Sequence, residues 1–222
     1  MADLEKEKKL LIEQMIKSKI LKTPKIIDAF EKIPRHEFVT KEYINSSYMD
    51  FALPTLKEST ISQPSTVAIM TEALDPREGE KILEIGTGSG WQTSLLAHII
   101  GSKGKVVTIE FDPDLVEFAK KNIHKLGLKN VEVILGDGSL GHKKEAPYGK
   151  IIFTCAAPSI PKPIKEQLRM GGRIVAPVGT LEIQRMLAID RVGREEFAES
   201  EVEPVSFVFV GLKGKYGYKE KI

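Results

Sequence analysis

Hydrophobic positions follow two different periods along the chain, and each period predicts a different kind of element. Apolar side chains recur at helical spacing from Leu4 to Ile20, which predicts an amphipathic helix. A second, short helix is predicted over Pro24–Lys32, because proline suits a first helical turn and Pro34 stops the helix. The stretch 35–58 shows no clear period, so we expect mostly loop there, with a helical turn near Tyr43.

Short apolar runs alternate with amphipathic segments from residue 64 onward. Helices are predicted over 64–74, 90–100, 113–126 and 161–170. Strands are predicted over 81–85, 105–110, 131–135, 150–155, 173–178, 185–191 and 204–210. Strands that alternate with helices indicate a parallel sheet covered on both faces, and the final run without long helices indicates an antiparallel edge.

The predicted fold is therefore α/β: a mostly parallel, doubly wound sheet with an antiparallel C-terminal edge and an N-terminal helical appendage. The length of 222 residues suits one domain over 1–222, in which residues 1–60 form the appendage and a loop beside the site. Ligands of such sheets bind beyond the carboxyl ends of the strands. We therefore expect the chemistry just after Ile85, Glu110, Leu135 and Cys155.

Composition narrows the class of protein and of partner. The net charge is +2, with mean hydropathy −0.15. This balance favours neither nucleic acid nor an acidic membrane, and the lysines near both ends, Lys221 among them, are interpreted as solvated. With one cysteine, Cys155, and no apolar run of roughly 20 residues, we expect a cytoplasmic protein without a membrane partner. We also expect a monomer, although no sequence feature determines the oligomeric state. No metal is expected, because the four histidines lack ligand spacing: His36, His98, His124 and His142.

A glycine-rich loop follows the strand predicted over 81–85. Gly86, Gly88 and Gly90 have the spacing G-x-G-x-G, which lets a ligand approach the backbone closely, although an ordinary tight turn would use the same glycines. Trp91 stands where a dinucleotide-binding loop has a third glycine, which that loop needs for packing around a pyrophosphate. The spacing therefore disfavours NAD.

Acidic residues at the next two strand ends extend the pattern. A carboxylate at Glu110 can accept hydrogen bonds from ribose hydroxyls, the alternative being a solvated strand end. Asp137, in G-D-G (136–138), can accept from an adenine amino group while Gly138 leaves room for the ring, the alternative being an Asx turn. The glycine loop, Glu110 and Asp137 thus follow three successive strands, and each can bind part of a nucleoside. Together they favour a nucleoside ligand without a pyrophosphate, and S-adenosylmethionine fits this description better than NAD.

These motifs resemble those of a known family. L-E-I-G-T-G-S-G (83–90), Glu110 and G-D-G (136–138) are similar to the cofactor motifs of class I methyltransferases. T-I-S-Q-P (60–64) narrows the resemblance to the protein L-isoaspartate O-methyltransferases. Further similar blocks are I-P-R-H-E-F-V (33–39), Y-M-D-F-A-L-P (48–54), A-P-Y-G-K-I-I (146–152), I-P-K-P-I-K-E-Q-L-R-M-G-G (160–172) and A-P-V-G (176–179).

The resemblance implies a Rossmann-like class I methyltransferase. Its cofactor would be S-adenosyl-L-methionine, its product S-adenosyl-L-homocysteine, and its partners proteins and peptides that contain isoaspartyl residues. It would transfer a methyl group to the free α-carboxylate of those residues, which initiates repair. Cofactor-binding residues implied by the motifs are Gln63, Glu84, Gly86, Thr87, Gly88, Gly90, Glu110, Asp137 and Gly138.

The T-I-S-Q-P segment carries the expected catalytic residues. Ser62 or Gln63 is predicted at the N-cap of the helix that begins at Pro64, where a serine hydroxyl can cap the helix. The resemblance implies instead that Ser62 is the active-site residue and donates to a substrate carboxylate, with Thr60 as a second hydroxyl nearby.

Two segments depart from the family pattern. P-T-L-K-E-S-T (54–60) lacks the glycines of the usual P-I-G-x-G-Q-T, and F-V-F-V (207–210) replaces F-V-P-L. We expect a stiffer loop, with Leu56, Lys57, Glu58 and Ser59 over the acceptor site rather than the cofactor. The departure keeps open a related methyltransferase with another carboxylate or peptide acceptor. A catalytically silent S-adenosylmethionine-binding module is a third reading, which the retained Ser62 disfavours.

Overall fold

The central element is a seven-stranded sheet with the strand order β5-β4-β3-β6-β7-β8-β9. The protein is described here from a computed structural model, which covers residues 3–219. The strands are β3 Lys81–Ile85, β4 Lys105–Glu110, β5 Val131–Leu135, β6 Tyr148–Phe153, β7 Leu168–Gly179, β8 Gln184–Arg191 and β9 Phe197–Phe207. From β5 to β7 neighbouring strands are parallel, and β8 and β9 add an antiparallel edge. The predicted fold class is confirmed.

Six α-helices accompany the sheet in the described part of the chain: α1 Leu4–Lys17, α2 Pro24–Lys32, α3 Pro64–Leu74, α4 Trp91–Ile100, α5 Pro113–Lys125 and α6 Lys162–Gln167. Alternate residues of the central strands face opposite sides, as the two-residue period of a strand requires. Ile82 packs in one cluster with Leu74 of α3 and Leu96 of α4, whereas Leu83 packs in another with Ile164 of α6. The sheet is thus covered on both faces.

The N-terminal helices share a core with the body of the protein. Leu11, Met15 and Phe30 lie in one buried cluster with Trp91 and Leu95 of α4. A short antiparallel pair, β1 Leu53–Pro54 and β2 Thr60–Ile61, then leads into α3. We propose on this basis that the chain forms one domain, as the sequence predicts.

Several predicted boundaries differ from the observed ones. The first helix ends at Lys17, where Ser18 donates its hydroxyl to the carbonyl of Gln14. The segment predicted as mostly loop contains two 3-10 helices, Arg35–Phe38 and Lys41–Ser46. The predicted helix 161–170 ends at Gln167, because Leu168 already belongs to β7.

The strand predicted over 204–210 is wrong in position. The last strand runs over Phe197–Phe207 and forms a hairpin with β8, in which Phe197 pairs with Arg191. Its glutamates lie on the edge of the sheet, where exposed charge is tolerated and the hydrophobic signal of a strand is weak. Lys221, one of the C-terminal lysines interpreted as solvated, lies outside the described residues. No helix among residues 3–219 is long and apolar enough to cross a membrane.

Candidate active site

A cavity of about 290 Å³ opens at the carboxyl ends of the parallel strands. Its wall is formed by the glycine loop after β3, by Glu110 and by Gly138. Thr60, Ser62 and Gln63, from the segment that leads into α3, also line the cavity. The cavity therefore joins the predicted cofactor residues to the predicted catalytic residues. Strand order reverses between β3 and β6, so this is the switch point where doubly wound sheets bind ligands.

The glycine loop needs glycine at Gly86, whose φ is +97°. A Cβ atom at Gly86 would lie 2.6 Å from Oγ1 of Thr154, which is too close. Thr154 follows β6 and donates its hydroxyl to the carbonyls of Ile85 and Gly86, so it fixes the turn. Gly88 also has positive φ, +54°, and lines the cavity. At Gly86 and Gly88 the wall is therefore backbone alone, which suits close approach by a ligand.

Glu110 lies in the cavity wall and is held by three backbone N–H groups. Its Oε2 accepts from Gly88 at 2.9 Å, and its Oε1 accepts from Phe111 at 2.8 Å and Asp112 at 3.1 Å. A carboxylate has about four acceptor sites, and these three bonds use both sites of Oε1 and one of Oε2, so Oε2 can still accept from a ribose hydroxyl. The link to Gly88 means that the carboxylate orders the glycine loop as well.

Asp137 is not part of the cavity wall, although Gly138 beside it is. The Oδ1 atom of Asp137 accepts from the backbone and hydroxyl of Ser139, and its Oδ2 accepts from the backbone N–H of Lys215 at 2.8 Å. The Asx turn that sequence reasoning left as the alternative is therefore present. The C-terminal tail covers Asp137, a contact that the local sequence gives no signal to find. A role for Asp137 at adenine stays a prediction.

Glu84 and Gly90 are the other predicted cofactor residues outside the cavity wall. Gly90 is the N-cap of α4, with φ +87°. Glu84 is fully buried and accepts a hydrogen bond from the hydroxyl of Thr93 in α4. Burial raises the pKa of Glu84 to about 8, and the nearby Glu110 charge acts in the same direction. The carboxyl group of Glu84 lies against α4 and outside the cavity wall, and a role for Glu84 at the cofactor stays a prediction.

The buried carboxyl of Glu84 predicts how stability depends on pH. Its folded pKa of about 8 exceeds the ordinary value, so its contribution is complete at low pH and is lost as pH rises through about 8. Glutamine resembles the protonated carboxyl group, but it does not titrate. In Glu84→Gln, the fall of the unfolding free energy between about pH 5 and 8 should therefore be less steep, by on the order of 1 kcal/mol per pH unit. Urea unfolding across that range measures the slope; identical slopes in both proteins would contradict the buried protonated carboxyl.

The other predicted cofactor residues line the cavity. Thr87 lines the cavity, and its hydroxyl is hydrogen-bonded at 2.7 Å to the hydroxyl of Thr108 on β4. Gln63 is the N-cap of α3 but makes no side-chain capping bond; its Oε1 accepts weakly from Thr66 at 3.4 Å. At Gly138 a Cβ atom would lie 2.8 Å from Cγ2 of Ile85, so only glycine keeps this wall open.

Ser62 and Thr60 both line the cavity. Ser62 is partly buried just before α3, and its carbonyl accepts from Nη2 of Arg35 at 3.1 Å. Since the N-cap position belongs to Gln63, the hydroxyl of Ser62 does not cap the helix. Thr60 is exposed and pairs with Pro54 across the β1–β2 ladder. The two hydroxyl residues are thus brought to the same wall.

The loop before Thr60 is joined to α5. Lys57 and Ser59 line the cavity, and Nζ of Lys57 lies 2.9 Å from a carboxylate oxygen of Asp114, in the first turn of α5. The expected position of residues 56–59 over the acceptor site stays a prediction. Lys57 and Glu58 have φ values of +53° and +59°, so two non-glycine residues adopt a left-handed backbone that favours glycine.

Glu58 offers a test of this strained backbone, because a left-handed conformation costs a non-glycine residue roughly 1–2 kcal/mol. We expect Glu58→Gly to be more stable toward unfolding than Glu58→Ala by about 1 kcal/mol, since both remove the same carboxylate and only glycine relieves the strain. Thermal unfolding of the two variants measures the difference. A Glu58→Ala protein as stable as Glu58→Gly would contradict the left-handed backbone.

Trp91 and Cys155 complete the wall near the strand ends. Trp91 begins α4 and is nearly buried, so it is both a packing residue and a wall of the cavity. Burial raises the pKa of the Cys155 thiol, which keeps it protonated and a poor nucleophile. Among residues 3–219 no cluster of His, Cys, Asp or Glu has the arrangement of a metal site.

The residues present fit a nucleoside sulfonium. Gly86, Gly88 and Gly138 provide a cradle that a Cβ atom would fill or strain, and Glu110 provides an acceptor for ribose. Glu110 and Asp112 also place two acidic side chains in the wall, which suits a positively charged ligand. The doubly wound fold and this cavity define a class I methyltransferase that uses S-adenosylmethionine.

Comparison with known proteins defines the family. The family model for protein-L-isoaspartate(D-aspartate) O-methyltransferase matches residues 5–215. The chain therefore belongs to this family, as its motifs predict, and is an S-adenosylmethionine-dependent methyltransferase of that kind. The chain is 43% identical to the protein-L-isoaspartate O-methyltransferase of Staphylothermus marinus over 97% of its own length and 98% of the relative. It is 44% identical to protein-L-isoaspartate O-methyltransferase 2 of Archaeoglobus fulgidus, over 96% of both chains.

Solved structures agree with this membership. A protein-L-isoaspartate O-methyltransferase, 30% identical, superposes with a TM-score of 0.85 over 94% of this chain and 67% of that chain. At 19% identity, a putative member from Plasmodium falciparum, solved with S-adenosyl-L-homocysteine, shares the fold with a TM-score of 0.82 over 96% of this chain and 99% of that chain.

Proposed function

We propose that this chain methylates the free α-carboxylate of L-isoaspartyl residues in damaged proteins and peptides, with Ser62 and Thr60 on the acceptor side. One observation carries the proposal. A single cavity is lined at once by the family's T-I-S-Q-P segment and by Gly86, Glu110 and Gly138. Donor and acceptor can therefore meet in one enclosed space.

Bound S-adenosylmethionine supplies an activated methyl group on its sulfonium. An isoaspartyl residue exposes an α-carboxylate whose reference pKa of about 3.5 leaves it ionised at neutral pH. The nucleophile needs no general base, so the work of the chain is orientation. In this proposal Glu110 and the glycine loop orient the donor, and the Ser62 hydroxyl donates a hydrogen bond to the acceptor carboxylate. Holding both partners in line supplies most of the acceleration.

The alternative, a different carboxylate or peptide acceptor, rests on the altered residues 55–59. The Lys57–Asp114 ion pair weakens that reading, since a lysine already paired with a carboxylate is less free to attract an acceptor carboxylate. The experiment is a methyl-transfer assay that compares an isoaspartyl peptide with its normal aspartyl isomer. We expect methylation of the isoaspartyl peptide alone. Equal transfer to both isomers, or transfer to neither, would favour the alternative.

The physical state of the protein stays a prediction from composition. We infer a monomer in the cytoplasm that acts on proteins and peptides, without nucleic-acid or membrane partners. The near balance of charge and the single cysteine support this inference. Light scattering during gel filtration tests it: a mass near 24.7 kDa is expected, and twice that mass would contradict the monomer.

A further inference from the structure

Arg35 is the largest fully buried side chain outside the cavity wall, with 1% of its surface exposed. It lies in the 3-10 helix Arg35–Phe38, and its hydrogen-bond partners are backbone carbonyls. Arginine is seldom buried to this extent without a carboxylate bonded to it. Its placement therefore points to a specific structural task.

The guanidinium of Arg35 joins three turns of the acceptor-side segment. Nη1 donates to the carbonyl of Ser47, and Nη2 donates to the carbonyls of Phe51 at 3.0 Å and Ser62 at 3.1 Å. The carbonyls of Ser47 and Phe51 lie close together in sequence, whereas that of Ser62 belongs to the segment just before α3, and the planar fork of an arginine can reach all three from one point. The last bond fixes the backbone of the residue whose side chain stands in the cavity.

The same guanidinium also contacts Trp91, the residue that follows the glycine loop. Its central carbon lies 5.4 Å from the ring centroid of Trp91, a distance typical of a cation–π contact. Trp91 directly follows the glycine loop and lines the cavity, and the ring of Phe30 contacts it edge-on at 5.6 Å. Arg35 thus contacts both Ser62, in the T-I-S-Q-P segment, and Trp91, beside the glycine loop.

The charge of Arg35 persists at neutral pH. Burial lowers the pKa of Arg35 to about 10, and the nearby Asp50 carboxylate opposes that change. Asp50 also accepts from the backbone N–H of Ser65 in the first turn of α3. The positive charge needed for the contact with Trp91 is therefore present under working conditions.

We propose that Arg35 is a positioning residue for methyl transfer, which holds the Ser62 backbone in register with Trp91 and the glycine loop. The inference rests on the proposed function, because that function gives Ser62 its acceptor-side role. Arg35 is not part of the cavity wall, so its loss should act through the geometry of the acceptor. A misplacement of about 1 Å is enough to cost roughly 100-fold in rate.

The test is Arg35→Lys, which keeps the charge and loses the planar fork. We expect kcat/KM for an isoaspartyl peptide to fall by roughly tenfold or more, while the dissociation constant for S-adenosylhomocysteine changes by less than about threefold. A second readout needs no activity: Trp91 is the single tryptophan, so its fluorescence should shift in the variant before any ligand is added. Hydrogen exchange should also become faster across 47–62.

Arg173→Lys is the matched control, because Arg173 is bonded to Asp190 and to the carbonyl of Ala73, away from the cavity. It should lose stability without change in kinetics or fluorescence. A folded Arg35→Lys protein with wild-type kcat, KM and fluorescence would overturn the proposal. Arg35→Gln is the second variant if Arg35→Lys does not fold, and failure of both to fold would assign Arg35 to stability alone. If the wild type transfers no methyl group, the proposed function is refuted instead. The fluorescence of Trp91 would then still show whether Arg35 contacts it.

Discussion

Glu110→Ala is expected to raise the dissociation constant for S-adenosylmethionine by roughly 5- to 150-fold, which corresponds to about 1–3 kcal/mol for unpaired buried polar partners. The alanine removes the acceptor for a ribose hydroxyl and also those for the N–H groups of Gly88, Phe111 and Asp112. Because Gly88 belongs to the glycine loop, the loop should loosen as well. Isothermal calorimetry measures the affinity, and the same instrument should detect no binding of NAD.

The control for this prediction is Glu117→Ala, an exposed glutamate of α5 paired with Lys120. It removes the same charge near the site and should leave cofactor affinity unchanged, since exposed pairs contribute little. Unchanged affinity in Glu110→Ala would contradict the assignment of this carboxylate to the ribose.

Ser62→Ala is expected to lower methyl transfer by roughly 10- to 100-fold while cofactor affinity stays constant, as for loss of one hydrogen bond to a charged group. The structure separates this effect from a loss of stability. Gln63 occupies the N-cap of α3, so the Ser62 hydroxyl caps nothing and the melting temperature should hardly change. Peptide kinetics and thermal unfolding measured on the same preparation give both numbers.

Ser65→Ala is the matched control, because Ser65 lies in the first turn of the same helix but outside the cavity wall. It should retain activity. A Ser62→Ala protein with normal turnover and a lower melting temperature would mean that Ser62 serves the helix start and not the acceptor.

The sequence predicted the cofactor half of the site better than the acceptor half. Glu110 and the glycines from Gly86 to Gly90 follow short buried strands, and the carboxyl ends of parallel strands meet at one edge. The position of Glu84 outside the cavity wall has no sequence signal, because a strand buried on both faces has no polar side to show its direction. A match to a sequence motif does not determine on which side of the sheet a side chain lies.

The remaining features depend on contacts between distant segments. The bond from Lys215 to Asp137 and the pair Lys57–Asp114 join residues that no local period connects. Arg35 belongs to the family motif I-P-R-H-E-F-V (33–39), but only the folded structure shows that its side chain is buried. The left-handed backbone at Lys57 and Glu58 has no sequence signal, because neither residue type favours a positive φ.

The central claim is that this cavity delivers the methyl group to the α-carboxylate of an isoaspartyl residue. The most direct measurement is a single turnover with S-adenosylmethionine that carries a ¹³C-labelled methyl group and an isoaspartyl peptide, followed by tandem mass spectrometry. The account predicts the label as an ester on the isoaspartyl α-carboxylate, and none in the aspartyl isomer. Label on any other group of the peptide, or an unlabelled peptide after a full turnover time, would contradict it.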